Sequence, residues 1–205
     1  IRFESHSGVD LRGLLRAVFS AGTSGGGSTI TQQLAKNLFH ERPDSKAQRV
    51  IQKIQEWIIA VQLERRYTKE EIMAMYLNTV EFSSNAFGIK SASRTYFNKT
   101  PDSLNVQEAA VLVGMLQAPT KFNPVRNPKN SLARRNVVLS QLAKYDFITR
   151  TQYDSIIALP IKLDFQQDDH NYGMATYFRE VLRKEMLEWC KEHINNSTQK
   201  PYNLY

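Results

Sequence analysis

Residues 25–37 read GGGSTITQQLAKN, a glycine-rich loop that runs directly into a helical pattern. Ile30, Leu34 and Leu38 recur at intervals of four, which predicts a helix with one apolar face. Glycines let a backbone approach a ligand closely, and the N–H groups at a helix start suit a phosphate or a pyrophosphate. The stretch therefore predicts a binding site at a loop-to-helix junction, with a solvated polar helix after a linker as the alternative.

The polar side chains of this stretch are the candidate ligands of that site. On a helix, Lys36 is a neighbour of both glutamines, which precede it by three and four residues. The lysine ammonium can then lie near the free N–H groups of the helix start. The hydroxyls of Ser28 and Thr29, just before the helix, add hydrogen-bond donors. The candidate binding residues from this reasoning are Ser28, Thr29, Gln32, Gln33 and Lys36.

A second candidate lies in the most apolar helical pattern of the chain, RVIQKIQEWIIAVQLERR at residues 49–66. Glu56 lies next to Trp57 in this pattern, and Lys53 precedes it by three residues. A carboxylate among apolar residues beside a lysine suits acid–base chemistry or the binding of a cation. The spacing alone favours the alternative, an ordinary Glu–Lys pair on a solvated helix face.

The periodic patterns predict a mainly helical protein. A Thr or Asn three residues before a Glu or Gln marks helix starts at Thr68, Asn105 and Thr149. The best strand candidate is IKLDF at 161–165. Beyond residue 166 the composition changes to a polar stretch, one long helical pattern and a tail that we expect to be loose, so we expect a boundary between 160 and 170.

The overall composition limits the class of protein without selecting one. The chain has 205 residues, of which 41% are hydrophobic, and a net charge of +7. The charge favours acidic partners such as nucleic acid, phosphorylated substrates or an anionic membrane surface. Cys190 is the only cysteine, so no intrachain disulfide forms. No apolar run reaches the roughly 18 residues of a transmembrane helix, and the start at Ile1 predicts a fragment of a longer protein.

Five segments, in this order, resemble the family 51 glycosyltransferases, the peptidoglycan transglycosylase domain of class A penicillin-binding proteins and of monofunctional transglycosylases. The second family motif, GGSTITQQLAKN, is matched without change at 26–37. The first is matched in part by IRFESHSG, with Phe3, His6 and Gly8 in register. The other three segments are KIQEWIIAVQLE at 53–64, YLNTVEFSSNAFGIKSASRTYF at 76–97 and EAAVLVGMLQAP at 108–119.

The resemblance implies an inverting hexosyltransferase that polymerises lipid II into β-1,4-linked glycan and releases undecaprenyl pyrophosphate. The family's general base is a glutamate that would fall just before Ile1. The family's second glutamate maps onto Glu56, where it would assist the departing pyrophosphate through a basic neighbour, Lys53 or Arg49, or through a divalent cation such as Mg²⁺ or Mn²⁺. Ser28, Gln32, Gln33, Lys36 and Asn37 map onto the substrate cleft.

The resemblance also implies a lysozyme-like, mainly α fold with a small membrane-facing jaw subdomain. The early apolar residues Leu11, Leu14, Leu15 and Phe19 either supply that jaw or belong to an ordinary core. The implied partners are lipid II, the growing glycan strand, the bilayer and the inhibitor moenomycin, with no nucleic acid. The implied location is the extracytoplasmic (periplasmic) side of the bacterial inner membrane.

The resemblance divides the chain into a glycosyltransferase domain at 1–165 and a linker helix with a tail at 166–205, leading toward a transpeptidase domain absent from this sequence. In the family, the position of Ser83 commonly holds a glycine, so we expect a different turn there. Three alternatives stay open: a lysozyme-like glycan hydrolase, a non-catalytic glycan-binding remnant, and a basic nucleic-acid-binding module.

Overall fold

The computed structural model describes residues 3–10, 27–38, 45–166, 176–195 and 200–201, and most of these residues are helical. The prediction of a mainly helical protein is confirmed for these ranges. The helices are α1 (Ile30–Leu38), α2 (Lys46–Arg66), α3 (Lys69–Thr79), α4 (Gly88–Phe97), α5 (Val106–Met115), α6 (Pro128–Lys144), α7 (Arg150–Ile157) and α8 (Thr176–Glu192). Short 3-10 turns cover Phe3–Ser5 and Pro101–Ser103.

Four of these helices begin with a capping box, a pair of reciprocal hydrogen bonds between the cap residue and the third helical residue. The predicted caps at Thr68, Asn105 and Thr149 are confirmed, since each side chain accepts the backbone N–H of the third helical residue. A fourth capping box joins Ser45 to Gln48 and begins α2 three residues earlier than the apolar pattern predicts. The apolar pattern misses this first turn because its residues carry no periodic hydrophobic signal.

Two clusters of buried apolar side chains form the core. One contains Leu34 of α1 with Ile72 and Tyr76 of α3, and it holds α1 in place. A nine-residue helix is marginal by itself in water, so this burial is what makes α1 a stable element. The larger cluster joins α4, α5 and the turn before α4, and consists of Phe82, Ala86, Ala92, Tyr96, Phe97, Val111, Leu112 and Met115.

The turn between α3 and α4 adopts a left-handed backbone without glycine. Ser83, Ser84 and Asn85 have φ values of 64°, 52° and 59°. Asn123, which is fully buried, donates from Nδ2 to both serine hydroxyls, at 3.2 Å each, and to the hydroxyl of Tyr96 at 3.1 Å. Ser83 thus adopts the conformation that glycine takes at the least cost, and buried hydrogen bonds stabilise it.

The predicted strand at 161–165 is wrong: this segment is extended but pairs with no strand among the described residues. Its apolar side chains pack on the larger core cluster, while the N–H groups of Asp164 and Gln166 donate to the carbonyls of Tyr96 and Thr95 near the end of α4. Alternation of apolar and polar residues therefore arises here from one extended chain lying along a helix end.

Residues 167–205 form a compact unit of their own, separate from the unit that covers residues 1–166. The predicted long helix at 174–193 is confirmed as α8, Thr176–Glu192. The tail expected to be loose contains an antiparallel pair of two-residue strands, β1 (Ile194–Asn195) and β2 (Lys200–Pro201). The apolar stretch proposed for the jaw lies outside the described residues. No helix within the described ranges is long and apolar enough to cross a membrane.

Candidate functional site

Lys53 joins two of the predicted site residues. Its Nζ donates to Glu56 Oε2 at 2.6 Å and to Ser28 Oγ at 3.0 Å. Glu56 is only 6% exposed, so the pair is not the solvated helix-face pair that the spacing favours. Lys53 remains partly accessible at the helix surface. The structure therefore places a reachable cation between a hydroxyl and a buried carboxylate.

The carbonyl of Gly8 joins the next two candidates. It accepts hydrogen bonds from Thr29 Oγ1 at 2.7 Å and from Gln32 Nε2 at 3.2 Å. Gly8 has φ +93°, and a Cβ at this position would meet the carbonyl carbon of Ala60 at 2.8 Å. Only glycine fits so close to α2. The segment at 3–8 is thereby fixed against both α1 and α2.

The Gln32 side chain keeps one unsatisfied acceptor. The residue is 1% exposed, and its Oε1 has no hydrogen-bond partner among the described residues. A buried amide oxygen without a donor costs about 1–3 kcal/mol, so a donor that reached this enclosed oxygen would bind it favourably. The backbone N–H of Gln32 donates to Thr29 Oγ1 at 3.2 Å, so Thr29, the residue just before α1, is bonded to the first turn of that helix.

The remaining candidates lie apart from this group. Gln33 Oε1 accepts the hydroxyl of Tyr76 at 3.1 Å, which directs that amide toward α3. Lys36 and Arg49 are exposed, and neither forms an ion pair with a described residue. Asn37 is half-buried near the end of α1. The described contacts bring together Ser28, Lys53 and Glu56, and separately Thr29 and Gln32, but they do not join Lys36, Asn37 or Arg49 to either set.

A second buried ionic cluster lies where α1, α2 and α3 meet the segment at 3–8. Glu64 Oε1 accepts from Thr31 Oγ1 at 2.6 Å, and Glu64 Oε2 pairs with Lys69 Nζ at 2.7 Å. Lys69 Nζ also donates to the carbonyl of His6 at 2.6 Å. Sequence reasoning did not single out Thr31, Glu64 or Lys69. A signal was present, since Thr31 and Glu64 both lie within the quoted motif segments.

His6 is held as a neutral imidazole within this cluster. Burial, and after it the charge of Lys69, lower the pKa of His6 below its ordinary value of 6.5, although Glu64 and Asp10 act in the opposite direction. Its Nδ1 accepts the N–H of Gly8 at 3.2 Å, a bond that requires an unprotonated nitrogen. His6 therefore links Lys69, which its carbonyl accepts, to Gly8, whose N–H its ring accepts.

The side chains around Glu56 do not fit a protein-bound divalent cation. Mg²⁺ and Mn²⁺ favour several oxygen ligands, whereas Glu56 Oε2 already accepts from an ammonium at 2.6 Å. Among the described residues, no group of three His, Cys, Asp or Glu side chains is arranged to hold a metal. Lys53 is thus the counter-charge that this site itself supplies.

The described structure also contains a pocket of about 110 Å³ that belongs to another part of the same unit. None of the predicted site residues lines it. Its walls come from α4, α5, α6 and the extended segment after α7, and they consist of Phe97, Asn105, Gln107, Glu108, Val111, Arg135, Ile161 and Lys162. The candidate site lies instead beside α1 and α2, where Ser28 and Lys53 reach the surface, and this pocket is not part of it.

Comparison with known proteins gives a consistent result. The family model described as Transglycosylase matches residues 1–143. Penicillin-binding protein 1A of Escherichia coli K12 is 39% identical over 208 residues, covering 100% of this chain and 24% of that protein. Penicillin-binding protein 1A/1B of Bacillus subtilis 168 is 44% identical, and the match covers 91% of this chain and 21% of that protein. Penicillin-binding protein 1A of Aquifex aeolicus is 36% identical, and the match covers 88% of this chain and 24% of that protein. The chain spans about a quarter of the length of these relatives.

Proposed function

The chain belongs to the transglycosylase family, and from this premise we propose that it is a peptidoglycan glycosyltransferase that polymerises lipid II. The acceptor's sugar 4-hydroxyl attacks the anomeric carbon of the donor strand, and the bond from that carbon to the pyrophosphate oxygen breaks. A β-1,4 linkage forms with inversion, and undecaprenyl pyrophosphate leaves. Such a reaction needs a base for the hydroxyl proton and positive charge for the departing pyrophosphate.

The observation that carries the proposal is the contact of Lys53 with both Ser28 and Glu56. A carboxylate alone would repel a diphosphate, since two like charges about 4 Å apart repel by roughly 4 kcal/mol at an effective dielectric constant of about 20. Lys53 reverses the sign of that interaction, and Glu56 holds the ammonium in position at 2.6 Å. In this proposal Lys53 stabilises the leaving pyrophosphate, Ser28 adds a hydroxyl donor, and Glu56 orients Lys53.

The first turn of α1 supplies the other polar contacts. Thr29 and Gln32 are buried and fix the Gly8 carbonyl beside the site. Exposed cations at Lys36 and Arg49 add positive charge along the same two helices, which suits an anionic, lipid-linked sugar. In this proposal Lys53, Ser28 and Glu56 act on the leaving-group side of the reaction.

Contact with a bilayer is part of the proposal, because lipid II is anchored there. Helix α2 carries Lys53 and Glu56, and it also exposes Val50, Ile51, Ile54 and Ile58, each at least half accessible. An exposed β-branched stripe beside basic side chains suits the boundary between lipid tails and anionic headgroups. We place the domain at the extracytoplasmic face of a bacterial inner membrane, with moenomycin as an inhibitor that competes for the donor site.

Polymerisation of lipid II by the intact protein tests the proposal directly. We expect labelled lipid II to be converted into a ladder of glycan strands, and Glu56→Gln to slow this conversion about tenfold or more, because Lys53 loses its ionic partner. Glu108→Gln is the matched control, since Glu108 also pairs with a lysine, at 2.7 Å, and lies outside the site. It should retain wild-type polymerisation.

Two results would contradict this assignment. Absence of any polymer with the wild-type protein would remove the transferase function, and cleavage of finished glycan strands would favour a hydrolase instead. Wild-type turnover in a folded Glu56→Gln variant would remove Glu56 from the mechanism. Tight, salt-dependent binding of DNA or RNA would favour the nucleic-acid alternative.

A further inference from the structure

Glu64 is a buried carboxylate that the proposed reaction does not use. Its side chain is 5% exposed, yet both oxygens have partners: Oε1 accepts from Thr31 of α1, and Oε2 pairs with Lys69 of α3. Glu64 itself belongs to α2. One carboxylate of α2 therefore contacts α1 and α3 through two short hydrogen bonds, and removing either partner would leave a buried group unsatisfied.

Lys69 extends this contact to the segment at 3–8. Its Nζ donates to the carbonyl of His6 at 2.6 Å and lies 4.6 Å from the centre of the Phe3 ring. An ammonium over an aromatic face is attracted by the ring electrons, and more strongly when it is shielded from water. Its side chain is 18% exposed, so this ammonium is largely shielded. Lys69 thus holds a backbone carbonyl, a ring and a carboxylate at once.

A continuous path of contacts runs from this pair to the candidate site. Lys69 contacts His6 through its carbonyl, the His6 ring accepts the N–H of Gly8, and the Gly8 carbonyl accepts from Thr29 and Gln32. Neither Glu64 nor Lys69 hydrogen-bonds to Ser28, Lys53 or Glu56 in the described structure. The pair therefore reaches the start of α1 by two routes, directly through the Thr31 hydroxyl and through the segment at 3–8.

We propose that Glu64 and Lys69 are a positioning pair that fixes the segment at 3–8. The pair keeps the Gly8 carbonyl of this segment against the start of α1, in the arrangement that glycan transfer needs. This inference rests on the proposed function. Reacting groups displaced by about 1 Å can lose roughly a hundredfold in rate, so loosening this segment lowers turnover more than it lowers binding. A pair that only stabilises the fold would lower the melting temperature and leave turnover unchanged.

Kinetics of neutral variants in the intact protein separate the two roles. The double variant Glu64→Gln/Lys69→Met leaves no buried charge without a partner. Lys99→Met/Glu108→Gln is the matched control, because Lys99, two residues after α4, and Glu108 of α5 form a lysine–carboxylate pair of the same 2.7 Å length. Melting temperature, kcat and KM for lipid II are measured for both. We expect kcat of the first double variant to fall at least tenfold with KM changed less than threefold, while the control retains kcat at a similar loss of melting temperature.

The outcomes are distinguishable. If the wild-type protein forms no polymer, the proposed function fails, and this inference fails with it. If the wild-type protein polymerises lipid II and the folded Glu64→Gln/Lys69→Met variant has the kcat of the control, the positioning role alone is wrong. If this variant does not fold, the single variant Glu64→Gln, which keeps an acceptor for Thr31, is measured in the same way. Failure of both variants to fold would show that the pair is a requirement of the fold and would also overturn the inference.

Discussion

Lys53 and Glu56 show how much the meaning of a single residue depends on its surroundings. An i,i+3 Glu–Lys pair on an exposed helix contributes a few tenths of a kcal/mol. Here the carboxylate is buried and the ammonium is shared with Ser28, a residue 25 positions earlier in the chain. The pair therefore has a defined geometry toward α1, which an exposed pair would lack, and it is this geometry that supports a role in stabilising a pyrophosphate.

At the same scale, His6 gives a prediction for pH. Its pKa is lowered in the folded protein, so the unfolded chain binds the proton more tightly, and the free energy of unfolding should decrease as pH falls below about 6.5. Lys69→Met removes a nearby positive charge and should raise the pKa of His6. Glu64→Gln removes a negative charge and should lower it further.

NMR titration of the His6 ring in the two variants measures these opposite shifts. Shifts of the same sign in both variants would contradict the electrostatic contacts described for this cluster.

At the scale of elements, the turn between α3 and α4 depends on a residue far away in sequence. The Oδ1 atom of Asn123 accepts the N–H groups of Val125 and Arg126, at 2.9 and 3.0 Å, while its Nδ2 holds the two serines and Tyr96. Asn123 therefore connects the end of α4 and the left-handed turn to the loop before α6. No local pattern in residues 83–85 predicts that support.

We predict that Asn123→Ala lowers the free energy of unfolding by roughly 2–4 kcal/mol, because several buried groups lose their partner at once. Denaturant unfolding measures this change. Asn130→Ala is the control, since Asn130 is exposed on α6 and should change the free energy by less than about 0.5 kcal/mol. Equal effects of the two substitutions would show that the Asn123 network does not stabilise the turn.

At the scale of the whole molecule, both core clusters lie within residues 1–166. The unit at 167–205 contains α8 and the β1–β2 pair, and its helix exposes several large apolar side chains, among them Tyr177, Phe178 and Trp189. That the first unit is the glycosyltransferase domain and the second a linker remains a prediction from the resemblance.

We predict that a chain ending at Gln166 unfolds in one cooperative thermal transition, because all residues of both clusters remain in it. Circular dichroism and calorimetry check this, and the van't Hoff and calorimetric enthalpies should agree. A gradual, non-cooperative loss of helix would mean that residues 167–205 are needed to complete the core. Full-length protein, melted under the same conditions, provides the reference transition.

The amino-acid sequence alone determined the helices, three of their four capping boxes, the family and the identity of the polar residues at the start of α1. These features depend on neighbours within about one helical turn or on a continuous motif, and such neighbours are visible in the order of residues. The same local reasoning failed at 161–165, where alternation reflected a chain lying along a helix end, and in the tail, where it missed the short β1–β2 pair.

Only the tertiary structure decided which polar residues meet. The burial of Glu56, the contact of Lys53 with Ser28, and the Glu64–Lys69 cluster with His6 all require α1, α2 and α3 to pack together. Side chains 25 to 63 positions apart come within hydrogen-bonding distance because buried apolar faces fix the helices relative to one another. Hydrophobic periodicity specifies those faces but not the distances between the polar groups at their edges. The residues of the candidate site could therefore be predicted from the sequence, whereas their contacts are defined only by the tertiary structure.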